Sequence, residues 1–141
     1  MKYKQATAVI SLFAVTTLVA SAAPILDIRT IAGKAAADVS KVLGKPTGQE
    51  KTKYGPKSIY KDGKIEVVFI NGKADWITVS GMSNVPFDAN AIEALGLPPE
   101  TPDLRNAIVV AWEPHSLYYS VLIFSDTKGK VFYAYIRVAT K

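Results

Sequence analysis

Two dipeptides, Asp62-Gly63 and Asn71-Gly72, constrain this chain more than any other feature. Both tolerate the positive φ that a two-residue hairpin turn demands. They separate three β-type runs, 58–61, 64–70 and 73–79, and so predict a three-stranded antiparallel meander. In the middle run Ile65, Val67 and Phe69 fall on one face, and Glu66, Val68 and Ile70 on the other. The first face is expected to pack against a helix and the mixed face to be only partly covered. Counting outward from Asn71-Gly72, Phe69 should face Ala74, Val68 should face Asp75 and Glu66 should face Ile77.

A second constraint is a repeated helix exit. Val39-Ser40-Lys41-Val42-Leu43-Gly44-Lys45-Pro46 and Ala91-Ile92-Glu93-Ala94-Leu95-Gly96-Leu97-Pro98 read alike, each an apolar helical turn stopped by Gly and Pro. The spacing of Ala35, Val39, Val42 and Leu43 predicts a helix over 34–43. Asp88 or Asn90 is the expected cap of the second short helix, with Glu93 completing a capping box if Asn90 is the cap. Each exit leads through a polar loop into β-type runs, in the second half 107–112, 117–124 and 131–138. The expected architecture is α+β: two helix-plus-three-stranded-antiparallel-meander units, over about 31–80 and 88–139, with helices packed on one face of an antiparallel sheet. A polar stretch after Pro46 reads as a loop with an edge strand near 52–54.

The N-terminus carries an address. Lys2 and Lys4 precede an uncharged apolar stretch over 6–20, and Ala20-Ser21-Ala22 supplies the small residues of a cleavage site. The run is shorter than the roughly 20 residues a membrane span needs. Residues 1–22 therefore read as a signal peptide and 23–141 as a single exported domain, periplasmic or extracellular. The chain has no cysteine, so this domain must be held by its core without disulfides.

The formal charge of +5 falls to +3 without the leader, fifteen basic groups against twelve acidic. Residues 23–80 carry ten basic and six acidic groups, whereas 81–141 carry five and six. Lys41, Lys45, Lys51, Lys53, Lys57, Lys61 and Lys64 make the densest basic stretch. It reads either as a solvated face or as a patch for an anionic partner such as a cell-wall polymer, a lipid surface or an acidic protein.

The helix ending over 39–46, Tyr60-Lys61-Asp62-Gly63, Val67 to Phe69 and Asn71-Gly72 together resemble the SmpA/OmlA (BamE) family and the related β-lactamase-inhibitory-protein fold. The resemblance covers about 45 residues well and the second half only by its order of elements. It implies short helices with antiparallel three-stranded units, two in tandem in the inhibitor, and it carries over no partner-contacting residue. Members that serve in outer-membrane assembly are typically lipoproteins, whereas this chain has no cysteine to lipidate.

Chemistry is sparse. His115, the one histidine, lies in Glu113-Pro114-His115-Ser116, which has the composition of an exposed turn. One histidine without cysteine argues against a zinc site and a nucleophilic triad. The glycines follow helices or occupy hairpins, so no phosphate cradle and no cofactor is expected. Glu66 and Asp75, read as diagonal neighbours on adjacent strands, are the carboxylates a small wall-directed enzyme would use. Tyr54, Tyr60 and Trp76 beside lysines have the composition of a single-strand nucleic-acid binder, but export argues against that partner.

The best remaining surface is aromatic, and it reads either as a binding face or as one covered by a second layer or by the chain's own termini. If Phe132, Ala134 and Ile136 face the helices, Tyr133, Tyr135 and Arg137 face the other way, with Tyr119, Trp76 and Trp112 contributing. Tyr, Trp and Arg on one sheet face are the composition of a protein-binding hot spot. The expected function is a non-enzymatic module that binds an envelope or extracellular protein.

Overall fold

The computed structural model describes residues 23–140 together with position 14; apart from that position, the leader segment 1–22 lies outside the described residues. The chain is α+β. Eight strands form one antiparallel sheet in the order β1-β2-β3-β4-β8-β7-β6-β5. They are β1 (Gly48–Lys51), β2 (Pro56–Tyr60), β3 (Ile65–Ile70), β4 (Lys73–Val79), β5 (Leu104–Arg105), β6 (Val109–Trp112), β7 (Ser120–Ser125) and β8 (Val131–Arg137). Consecutive strands pair from β1 to β4 and again from β5 to β8, and β4 pairs with β8 where the two runs meet. The edge strand expected near 52–54 forms earlier, as β1, and each half gains a fourth strand at its outer edge.

The first helix, α1 (Ala36–Leu43), buries Val39 and Leu43, and the Gly44 amide donates to the Ser40 carbonyl at φ +88°. The second is a seven-residue 3-10 segment, Ala89–Leu95. Asp88 is its cap, accepting the Asn90 amide, and left-handed Gly96 ends it. The Ala94 carbonyl accepts from the Ile25 and Leu26 amides, so the last turn is tied to the incoming chain.

A single core fills the helix side of the sheet. Val67, Ile77, Val79, Val121, Ile123, Ala134 and Ile136 rise from the strands to meet Val39, Leu43, Ile92 and Leu95. The buried cluster includes residues of all the central strands, so both halves share it.

Two bulges alter the expected registers. Phe69 faces Ala74 as the hairpin predicts, but Val68 then faces Trp76 and Glu66 faces Thr78. Asp75 is the extra residue, and Ala74 and Asp75 are consecutively buried. In the second half Phe124 faces Tyr133 while Ser125 faces Val131, leaving Phe132 as the extra residue. Phe132 is consequently 63% exposed and does not join Ala134 and Ile136 in the core.

Candidate functional site: the open sheet face

The face opposite the helices carries three cross-strand rows. In the first, Lys57 lies opposite Val68, Val68 opposite Trp76, Trp76 opposite Arg137, and Arg137 opposite Ser120. The second runs through Ile59, Glu66, Thr78, Tyr135 and Leu122. The third pairs Tyr133 with Phe124 and Phe124 with Val109. The register thus brings Trp76, Tyr133, Tyr135 and Arg137 onto one surface, because period-two alternation sends every second residue of β4, β7 and β8 to the same side.

The aromatic rings touch one another. Phe124 and Tyr133 stack with centroids 4.6 Å apart, and Phe132 meets Tyr133 edge-on at 5.4 Å. Tyr54 lies 4.2 Å from Trp76, and Trp76 is 6.3 Å from Tyr135. Burial pushes the Tyr135 phenol up from its ordinary value, keeping it neutral. The Arg137 guanidinium sits 4.9 Å from the Trp76 ring centre and 5.3 Å from that of Tyr119. Tyr119 is 61% exposed.

Tyr54, absent from the aromatic face read in the sequence, reaches Trp76 through a local turn. The Thr52 hydroxyl donates to the Gly55 carbonyl at 2.7 Å and accepts from the Tyr54 and Gly55 amides at 3.2 Å. A Cβ on Gly55 would overlap the Phe69 carbonyl oxygen, so glycine alone lets this turn close against β3. The readable signal was Thr52 three residues before Gly55.

Trp112 does not belong to the face. It is fully buried on the helix side, opposite Val121, and its indole Nε1 donates to the Glu100 carbonyl at 2.8 Å. Nor do the seven lysines form one patch. Lys51 and Lys53 precede β2, whereas Lys61 and Lys64 flank its far end and Lys45 lies before Gly48, which pairs with Ile59. Lys41 is bridged to Asp38 at 2.8 Å. Lys57 reaches Glu50 at 2.8 Å and Glu66 at 3.3 Å, with its side chain only 19% exposed.

That contact also engages Glu66, while the bulge takes Asp75 elsewhere. Asp75 is 2% exposed, and its Oδ2 accepts both the amide and the hydroxyl of Thr140 at 2.6 Å. Glu66 and Asp75 are therefore not a diagonal pair, and the two-carboxylate arrangement does not form.

His115 is buried, 3% exposed, where the turn composition predicts exposure. Its Nδ1 accepts the Leu117 amide at 3.1 Å, which leaves the proton on Nε2, 3.4 Å from Glu100 Oε2. The ring stacks on Tyr118 at 5.8 Å. Burial holds its pKa below the ordinary value, partly offset by the Glu100 carboxylate. The imidazole thus fixes the β6–β7 loop through the Leu117 amide, and the Ser116 amide, donating to Glu100 Oε1 at 3.3 Å, ties that loop to the one that follows the 3-10 segment.

Among the described residues no three His, Cys, Asp or Glu converge as metal ligands, and no helix is long and apolar enough to cross a membrane. A groove of 490 Å³ lies on the helix side between Val42, Leu43 and the β2–β3 turn, with Lys61 and Lys64 among its lining. Another, of 370 Å³, is lined by Ala23, Ile25 and the 3-10 segment. Comparison with protein-family models, curated proteins and solved structures finds no match to the chain.

Proposed function

We propose that this chain is an exported, non-enzymatic binding module that presents its aromatic sheet face to another envelope or extracellular protein. One observation carries the reading: Trp76, Tyr119, Phe124, Tyr133, Tyr135 and Arg137 share a face opposite the one where the helical segments bury Ile28, Val39, Leu43, Ile92 and Leu95. Aromatic side chains offer large contact area at low entropic cost, and they dominate protein-binding hot spots. Export is supported by Lys2, Lys4, the apolar run 6–20 and Ala20-Ser21-Ala22. The two runs of four strands, each preceded by a helical segment that exits through Leu-Gly-x-Pro, support descent from two helix-plus-meander units. The same order of elements is what favours kinship with the SmpA/OmlA (BamE) and inhibitor folds.

Cross-linked affinity capture of the protein from residue 23 onward, using the producing cell's envelope and medium, tests the function. A protein retained by the wild type should be lost on joint Tyr133→Ala and Tyr135→Ala replacement, each contributing about tenfold in affinity, with melting temperature unchanged. A comparable fall in melting temperature would make these tyrosines part of the scaffold and remove the basis for the reading.

A further inference from the structure

The open face holds a cation with no counter-ion among the described residues. Arg137 makes no salt bridge and no side-chain hydrogen bond there, and its guanidinium is held between the Trp76 and Tyr119 rings. Those rings attract the charge but supply no lone pairs for five N–H donors. Arg137 Nε and Trp76 Nε1 are both buried without an acceptor among the described residues. The two residues are direct cross-strand partners, with the guanidinium carbon 4.9 Å from the Trp76 ring centre.

The nearby carboxylates are placed elsewhere. Glu66 is bridged to Lys57, and Asp75 binds Thr140 through Oδ2. Asp75 Oδ1 has no hydrogen-bond partner among the described residues, yet Asp75 forms no ion pair with Arg137. Unpartnered N–H donors on two cross-strand partners, one of them a permanent planar cation and both set among aromatics, match an acceptor with two oxygens and a negative charge. A polyanion or a lipid surface would call for several free cations in this plane. Instead Lys57 is already paired and Lys61 and Lys64 stand beyond the far end of β2, so that Lys53, 4.7 Å from the Tyr54 ring centre, adds a cation at the edge of the site and not a row of them.

We infer that Arg137 and Trp76 receive a single Asp or Glu side chain of the partner protein, with Tyr54 and Tyr119 as flanking walls. This rests on the binding reading above and names what the centre of the face recognises. A carboxylate here also answers the free-energy cost of two unsatisfied buried donors.

The test follows the Trp76 indole N–H and Arg137 Nε–H resonances of ¹⁵N-labelled protein during titration with a capped glutamate tripeptide, its glutamine counterpart and inorganic phosphate. The glutamate peptide should move both resonances along a saturating curve, and the glutamine peptide should not. Arg137→Gln should weaken the response of the indole N–H by about tenfold or more, and Arg137→Lys should restore it only partly, because an ammonium lacks the planar fork. Unmoved resonances, an equal response to glutamine, or tighter binding of phosphate than of glutamate would each overturn the inference. A captured partner that needs Tyr133 and Tyr135 but is indifferent to Arg137→Gln would overturn it too, while leaving the binding reading intact.

Discussion

Burying His115 commits the fold to a neutral imidazole, and that commitment is measurable. Its Nδ1 is occupied by the Leu117 amide, and its pKa is held below the ordinary 6.5 first by burial, with Glu100 opposing. The unfolded chain then binds a proton at higher pH than the folded chain, so stability rises with pH between the two values. The contribution is complete above 6.5 and is lost as pH falls through 6.5 toward the lower folded value. Urea midpoints should therefore drop from about pH 7.5 to about pH 5.5, and His115→Gln should flatten that interval. The chain has one histidine, so no other imidazole contributes. Asp27, Asp38 and Asp126 are held below the ordinary carboxylate value by hydrogen bonds to Arg29, Lys41 and the Lys128 and Lys130 amides respectively, so their contributions disappear only at lower pH. An unchanged slope in the variant would show that His115 is protonated alike in both states.

At the scale of elements, the two bulges decide which side chains reach which face. Each adds one residue to one strand, so the side-chain alternation restarts. On β4 this buries Asp75 beside Ala74 and leaves Trp76 on the open face. On β8 it expels Phe132 while Val131, Ala134 and Ile136 remain inside. Phe132→Ala should accordingly cost less than about 1 kcal/mol in denaturant unfolding. Ile136→Ala, which leaves a cavity under the β4–β8 seam, should cost about 2–5 kcal/mol. The reverse ranking would return Phe132 to the core. The β4 run and its Asn71-Gly72 turn were legible because their code is local: the turn dipeptide and a few alternating side chains. The bulge was not, because Asp75 is held by Thr140, sixty-five residues away.

For the whole molecule, the join between halves is narrow in pairing and broad in packing. Only four residue pairs connect β4 to β8, from Trp76–Arg137 to Val79–Ala134. Beneath them, a single buried cluster includes Val39 and Leu43 from one half and Ile92, Leu95, Val121 and Ile123 from the other. Shared burial on this scale predicts all-or-none unfolding. Trp76 stands in the first half and Trp112 in the second, and the chain has two tryptophans, so Trp→Phe variants give one reporter per half. Their denaturation midpoints, each set against the circular dichroism midpoint of the same variant, should coincide. Separate transitions would mean that the halves fold as independent units.

What the sequence by itself determined is everything written in short-range physical chemistry. The hairpin at Asn71-Gly72, the helix stops at Gly44 and Gly96, and the alternation that sets Tyr133, Tyr135 and Arg137 opposite Ala134 and Ile136 all follow from backbone freedom and a two-residue period. Only the tertiary structure decided that Trp112 is core, that His115 is buried, that the lysines part to two ends of β2, and that Tyr54 closes over Trp76 beside Arg137. Each of these depends on which strand lies beside which and on what a distant loop supplies. Residue type and spacing do not encode that neighbour, since a tryptophan at a strand end satisfies the same pattern on either face of the sheet.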